Sequence, residues 1–293
     1  MLSYIQLIRP QQWIKNALIF LPAYFAGTIF LDDNFYYLLS GFLSFSLVAS
    51  AIYILNDYRD IEADRIHPKK KSRPLASGKV KPGLAIILMF LLIGAGLFLA
   101  YLVNLKFLFL LSFYLVLNVG YCFGLKHIAL LDIFIVSSGF LIRAVSGGVI
   151  ISIPISQWLV IMVFFGALFL ALAKRRDDVL INLNSGKVMR KSVQSYNLDF
   201  TNACLTMITG VIIVAYLMYT ISPDVTSRLK SNHVYYTTIF VIAGIMRYLQ
   251  ITLVEGNSGS PTKILYSDKF IILTIIAWLL SFYVIIYIPQ FFN

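Results

Sequence analysis

Charge is scarce in this chain: 13% of the residues are charged against 59% hydrophobic, and the mean hydropathy is +0.83. A soluble domain carries roughly 25% charged residues, so a soluble globular fold is excluded and an integral membrane protein remains. Cysteine is scarcer still. Cys122 and Cys204 both lie inside apolar segments, which excludes a disulfide framework and a thiolate metal site. The start, Met1 to Pro10, lacks a basic stretch followed by an apolar one and a small-residue cleavage site, so no cleavable signal is read. Low-complexity tracts and visible repeats are missing as well. Acidic residues are outnumbered, 13 against 24 basic ones, for a formal charge of +11. The basic loops contain interspersed acids and no nucleic-acid-binding module. In a membrane protein such an excess reflects loops that face anionic lipid and anionic substrates.

What the chain has in quantity is apolar windows of roughly 20 residues, the length that spans a bilayer as a helix. Nine are read, near 14–31, 37–57, 83–103, 106–124, 129–150, 156–174, 203–221, 234–252 and 269–289. Lys and Arg fix the orientation. With the N-terminus inside, the cytoplasmic segments hold Arg9, Lys15, Arg59, Arg65, Lys69 to Lys71, Arg73, Lys79, Lys81, Lys126, Lys174 to Arg176, Lys187, Arg190, Lys191, Arg247, Lys263 and Lys269. The outside keeps Lys106, Arg228 and Lys230. The expected fold is all-α, a single transmembrane domain over 1–293 with cytoplasmic cap loops at about 58–82 and 174–202. Loops of that length and polarity between packed spans are usually functional.

The first cap loop opens with the densest charge in the sequence, Asn56-Asp57-Tyr58-Arg59-Asp60-Ile61-Glu62-Ala63-Asp64, followed by Arg65-Ile66-His67-Pro68-Lys69-Lys70-Lys71-Ser72-Arg73-Pro74. Asp57, Asp60 and Asp64 fall at i, i+3 and i+7, one face of a helix. Stacked carboxylates repel unless a cation joins them, and hard oxygen ligands suit Mg²⁺ completed by substrate phosphates. The basic run behind them suits those phosphates. A solvated charged loop is the plainer alternative. The second cap loop, with Lys174-Arg175-Arg176-Asp177-Asp178 and Tyr196, adds mixed charge suited to a metal-chelated, anionic substrate meeting a lipid.

Asp132 opens the fifth span and Arg143 follows eleven residues later, about 16 Å along a helix. A guanidinium at that depth faces either an interior cavity, where it binds a phosphate, or a structural ion-pair partner. Lys126-His127 reads as a positive flank. Trp13 reads as an interfacial anchor and Arg9 as an orientation signal, whereas Lys15 and Asn16 are placed to face the mouth that the Asp cluster occupies.

The string Asn56-Asp57-x-x-Asp60-x-x-x-Asp64 resembles the first aspartate-rich motif of the UbiA superfamily of intramembrane prenyltransferases. The further strings Arg9-Pro10-x-Gln12-Trp13-x-Lys15-Asn16, His67-Pro68-x-Lys70-x-x-Arg73-Pro74-x-Ala76-x-Gly78, Tyr121-x-x-x-Leu125-Lys126-His127 and Gly139-Phe140-x-x-Arg143 are similar to its decaprenyl-phosphate phosphoribosyltransferase branch. The resemblance covers the chain up to the loop after the sixth span. It implies nine helices around a polar cavity on the cytoplasmic side, in a bacterial plasma membrane. The second Asp-x-x-x-Asp motif of aromatic prenyltransferases is missing; Lys174-Arg175-Arg176-Asp177-Asp178 stands there, similar to the branch's Lys-Arg-x-x-acid pattern with Asp178 on the acidic position. Fewer carboxylates and more cations fit phosphoribosyl diphosphate as donor and a polyprenyl phosphate as acceptor.

The resemblance then implies roles. Asp57, Asp60 and Asp64 are the expected Mg²⁺ ligands, and Asp57, Asp60 and Lys15 the catalytic candidates. Asn56, Lys70, Arg73, Arg143, Lys174, Arg175, Arg176, Asp178 and Tyr196 are the substrate-binding candidates. Lys174 to Arg176 are expected at the donor's 5-phosphate, and Lys15, Arg143 and Lys70 or Arg73 at the lipid phosphate. An anionic acceptor needs no general base, consistent with the lack of a His or Cys constellation. Two alternatives stand beside this reading: a prenyltransferase that moves a polyprenyl chain from its diphosphate to an aromatic or other acceptor, and a cation transporter. Transport sites lie near the bilayer midplane, whereas these acids end a span. The sequence leaves the oligomeric state open, and a homo-oligomer is compatible with it.

Overall fold

The computed structural model describes residues 2–66, 70–185, 191–229, 231–255, 264–265 and 267–288. His67, Pro68, Lys69, Lys187, Arg190, Lys230 and Lys263 lie outside the described residues. Among those described, every regular element is helical. Helix α1 is Leu2–Ile8, followed by a 3₁₀ helix at Pro10–Phe20 and by α2 at Leu21–Ala26. Then come α3 Asn34–Arg59, α4 Ile61–Ile66, α5 Pro82–Val103, α6 Leu105–Cys122, α7 Leu131–Ile150 and α8 Gln157–Ser185. The chain ends with α9 Leu198–Ile221, α10 Pro223–Leu229, α11 Thr238–Leu249, a π-helical stretch Gln250–Val254, and α12 Lys269–Tyr287.

Seven helices among the described residues are long and apolar enough to cross a membrane, namely α3, α5 to α9 and the stretch Val234–Val254, with a shorter apolar helix at Lys269–Ile285. These match eight of the nine expected spans. The first, expected near 14–31, is a correction. Pro10 opens a 3₁₀ helix, and Pro22 has no N–H with which to continue the ladder into α2, so the segment is not one long helix. The second cap loop is also shorter than expected, because α8 runs on to Ser185 and carries Lys174 to Asp178 as helix.

The chain forms two compact units: Met1–Ala23 with Thr28–Lys126 and Ile142–Ile153, and Tyr24–Gly27 with His127–Leu141 and Pro154–Asn293. In the first, α3 is the central element. One face of it is buried, with Leu38, Phe45, Val48 and Ile52 packed beside Phe107, Leu111 and Tyr114 of α6 and Ile19 of the 3₁₀ helix. Close backbone approach sets two contacts of this unit. A Cβ on Gly96 of α5 would lie 2.9 Å from the Ser44 carbonyl, and Ser44 Oγ donates to the Gly96 carbonyl at 2.7 Å. A Cβ on Gly147 of α7 would overlap the Ile19 carbonyl oxygen. Three residues per turn put Trp13, Asn16 and Ile19 in one line on the 3₁₀ helix. Trp13 Nε1 donates to Ser50 Oγ at 3.0 Å and Asn16 Nδ2 to Ser46 Oγ at 2.9 Å. The helix is thereby laid antiparallel along α3, and Arg9 comes out at the level of Asp57.

In the second unit, Leu168, Phe169 and Leu172 of α8 pack with Leu205 and Ile208 of α9, Tyr248 of α11 and Ile271 of α12. The segment before α9 is tied down by Asp132, which is fully buried at the start of α7. Its carboxylate accepts from Tyr196 Oη at 3.0 Å and Ser192 Oγ at 3.2 Å, and forms an ion pair with Arg175 Nε at 2.8 Å. Tyr196 Oη also accepts from the Leu130 N–H at 2.7 Å. Burial pushes the Tyr196 phenol up to about 12, with the Leu130 N–H pulling the other way and the Asp132 charge adding to the rise. The phenol therefore stays protonated, and stays a donor to Asp132, throughout the physiological range.

Two outcomes are expected. Tyr196→Phe removes a donor from a buried carboxylate, at a cost of about 1–3 kcal/mol, and raises amide exchange of residues 191–197 while α12 keeps its protection; unchanged exchange there would contradict the tether. Gly147→Leu lowers the yield of monodisperse detergent-solubilised protein, whereas Gly210→Ala, with nothing within 4 Å of the added carbon, leaves it unaltered.

Candidate active site

Helix α3 does not carry the three aspartates on one face. It ends at Arg59, and Asp60 adopts φ −101° and ψ 10°, with its N–H still bonded to the Asn56 carbonyl, before α4 restarts at Ile61. Such backbone values are sparsely populated and recur at active sites. The break turns Asp60 away from its neighbours. Lys126 Nζ takes it at 2.7 and 2.9 Å and lies 3.4 Å from Asn56 Oδ1. Asp57 and Asp64, by contrast, converge. Arg73 Nη1 stands 3.0 Å from Asp57 Oδ1 and 2.6 Å from Asp64 Oδ2, and Lys70 Nζ lies 3.8 Å from Asp64. Arg9 Nη2 is 2.6 Å from both oxygens of Asp57. Asp57 and Asp64 are 3% and 2% exposed, Asp60 far more open.

The cluster is therefore cation-rich, with Arg9, Lys70, Arg73 and Lys126 against Asp57, Asp60 and Asp64. This arrangement differs from the expected three-carboxylate face in where Asp60 points, and among the described residues no group of three or more His, Cys, Asp or Glu converges. A two-carboxylate site is a different matter. Asp57 and Asp64 already share one positive nitrogen between them, so they can meet on one cation. Mg²⁺ is usually bound through one or two carboxylates with substrate phosphates completing its shell. The pair fits a divalent ion if Arg73 and Arg9 give way.

A second feature of the same unit is Arg143. It is 6% exposed and donates from Nε to Asn16 Oδ1 at 2.7 Å and from Nη2 to Tyr114 Oη at 2.8 Å. Its guanidinium carbon lies 4.9 Å from the Phe45 ring centre and 4.8 Å from that of Tyr114, cation–π contacts that hold the group in an apolar setting. Lys15, on the 3₁₀ helix beside Asn16, forms no ion pair among the described residues, and both Arg143 and Arg9 are near enough to act on its charge. Three like charges in one neighbourhood favour an anion there.

In the second unit the basic residues of α8 separate. Arg175 is spoken for by Asp132 and by Asp178, to which its Nη1 also donates. Arg176 donates from Nε to Asn202 Oδ1 at 2.7 Å, while its buried Nη1 has no hydrogen-bond partner among the described residues. Lys174 is exposed. Tyr196 belongs to the Asp132 network, bonded to Asp132 and the Leu130 N–H. Arg9 and Lys126 were read from the sequence as topological charges, yet both hold motif carboxylates. The signal that could have found them was their place in the family-like strings Arg9-Pro10-x-Gln12-Trp13 and Leu125-Lys126-His127.

Comparison with known proteins places the chain in a family. The UbiA prenyltransferase family profile matches residues 17–198. A decaprenyl-phosphate phosphoribosyltransferase from Mycolicibacterium smegmatis is 36% identical over 94% of this chain and 89% of its own length. One of the same name from Corynebacterium glutamicum is 34% identical over 98% and 88%. Among solved structures, a UbiA homolog from Archaeoglobus fulgidus bound to GPP and Mg²⁺ superposes with a TM-score of 0.73, at 16% identity, over 97% of this chain and 99% of its own. The chain belongs to the UbiA prenyltransferase family, grouped by sequence with relatives named decaprenyl-phosphate phosphoribosyltransferase.

Proposed function

We propose that this protein transfers a 5-phosphoribosyl group from phosphoribosyl diphosphate to a polyprenyl phosphate and releases diphosphate. Near-full-length relatives named for that activity support the reading. The observation that carries it is the surplus of cations over carboxylates around Asp57, Asp60 and Asp64. A donor with phosphates at both ends needs more positive charge than a prenyl diphosphate does. The excess of Lys and Arg on the proposed inner side supports a donor that arrives from the cytoplasm, at the inner face of a bacterial plasma membrane.

In this mechanism Asp57 and Asp64 would hold a divalent cation, Mg²⁺ by analogy with the family, and Asp60 keeps Lys126 aimed at the same group. When bound, the ion offsets the charge that gathers on the departing diphosphate. Lys70, Arg73 and Lys126 donate to the diphosphate oxygens and bear the rest of that charge. As the bond from the ribosyl C1 to diphosphate breaks, C1 gains oxocarbenium character. An anionic oxygen of the lipid phosphate forms the new bond at C1, so no proton has to be removed and no general base is needed. Lys15 and Arg143 are proposed to hold that lipid phosphate. Arg176, with spare donor capacity, and Lys174 remain candidates for an anionic group in their own unit.

The test is incubation of the purified protein with Mg²⁺, labelled phosphoribosyl diphosphate and polyprenyl phosphate. Lipid-linked phosphoribose is the expected product, lost on chelation of the metal and regained with Mg²⁺. Turnover of a prenyl diphosphate onto an aromatic acceptor, with no lipid-linked phosphoribose, would establish the rival prenyl transfer instead. Asp57→Asn is expected to lower kcat by about 10²–10³-fold or more, the scale of losing a key electrostatic group, in protein that remains folded. Lys126→Met should raise the donor KM; an unchanged KM would remove Lys126 from the donor site.

A further inference from the structure

Arg9 engages Asp57 in an unusual way. A guanidinium that pairs structurally with a carboxylate commonly does so fork to fork, through two nitrogens. Here a single nitrogen, Nη2, lies 2.6 Å from both carboxylate oxygens, where a cation chelated by both would sit. Arg73 Nη1 lies between Asp57 and Asp64 in a similar fashion. The two ends of the Arg9–Asp57 pair are also unequal. Asp57 is 3% exposed and the Arg9 side chain 19%, so the arginine can withdraw towards water while the carboxylate stays.

The backbone of Arg9 sharpens the point. Its φ of 55° and ψ of 59° lie in the left-handed region, which costs a non-glycine residue roughly 1–2 kcal/mol and persists only where surrounding contacts hold it. Those contacts are the Asp57 carboxylate and the face of Tyr53, whose ring centre is 5.2 Å from the guanidinium carbon. Arg9 is also the single residue between the end of α1 at Ile8 and the 3₁₀ helix that starts at Pro10. Rotation about the Arg9 side-chain bonds re-aims the guanidinium and leaves both flanking helices in place, with Leu7 of α1 fully buried.

We propose that Arg9 is an exchangeable counter-ion. In the metal-free protein it neutralises Asp57; when a divalent cation takes that carboxylate, Arg9 is displaced and binds the diphosphate of the donor. The proposal rests on Asp57 and Asp64 as ligands of the cation, and goes beyond that reading by making metal and donor bind synergistically. The ion alone must break the Arg9 pair. The ion together with a diphosphate gives the guanidinium a new anionic partner, so each ligand tightens the other by the same factor.

Two measurements on the full chain in detergent test it. In the first, Mn²⁺ affinity without donor is compared in wild type, Arg9→Asn and Asp57→Asn; Asn tolerates left-handed backbone, so the substitution removes the guanidinium without added strain. Arg9→Asn is expected to bind Mn²⁺ on the order of tenfold tighter, the equivalent of one charge-assisted bond that need not be broken, while its donor KM rises. Unchanged or weaker Mn²⁺ binding by Arg9→Asn, beside a wild-type site that Asp57→Asn abolishes, would overturn the exchange and leave the metal reading intact. No Asp57-dependent Mn²⁺ site in wild type would overturn both. The second measurement needs no variant. Phenylglyoxal labelling of Arg9, read by peptide mass spectrometry, should quicken when Mg²⁺ is added and slow again with inorganic diphosphate. Labelling that Mg²⁺ leaves unchanged or slows would contradict displacement.

Discussion

Three carboxylates at the end of a buried apolar helix must be neutralised, and much of the first unit is arranged to that end. Asp57 and Asp64 are removed from water, where an unpaired charge is costly. Four cations from three places in the sequence come to meet the three acids: Arg9 before the 3₁₀ helix, Lys70 and Arg73 after α4, and Lys126 after α6. Such pairing stabilises little by itself, since desolvation offsets much of the attraction. What it does is hold charge of both signs at high density beside an apolar bundle, the arrangement on which the proposed metal-diphosphate site rests.

The supporting architecture follows from that requirement. Arg9 reaches Asp57 because Trp13 and Asn16 fasten the 3₁₀ helix to Ser50 and Ser46 of α3. The same segment can lie so close because Gly147 offers no Cβ to the Ile19 carbonyl. Asn16 then serves twice, donating to Ser46 and accepting from Arg143. A polar seam thus runs from the carboxylates along α3 to the buried guanidinium.

Much of this was legible in the sequence. Apolar windows located eight helices, seven of them to within about five residues, because the bilayer imposes length and composition together; α8 runs eleven residues past its window. The aspartate motif identified the centre of charge. Local backbone and distant partners were not legible. Helical spacing put Asp60 with Asp57 and Asp64, but the break at Asp60 handed it to Lys126, and no periodicity rule anticipates where a helix yields. Hydropathy likewise counted 14–31 as a span because it is apolar, though Pro10 and Pro22 make it a 3₁₀ helix and a short α-helix. Arg9 and Lys126 resembled topology signals because their partners lie 48 and 66 residues away. Lys174 to Asp178 were read as loop, yet Arg175 and Asp178 pair at i, i+3 on the extended α8.

The central claim is that the Asp57–Asp64 pair forms a metal-dependent site for a sugar diphosphate rather than for a prenyl diphosphate. Calorimetric titration of the purified protein with phosphoribosyl diphosphate, and separately with geranyl diphosphate, tests it most directly when each is done with and without Mg²⁺. The account predicts saturable binding of the sugar diphosphate that requires Mg²⁺ and disappears in Asp57→Asn. Mg²⁺-dependent binding of geranyl diphosphate alone would contradict it.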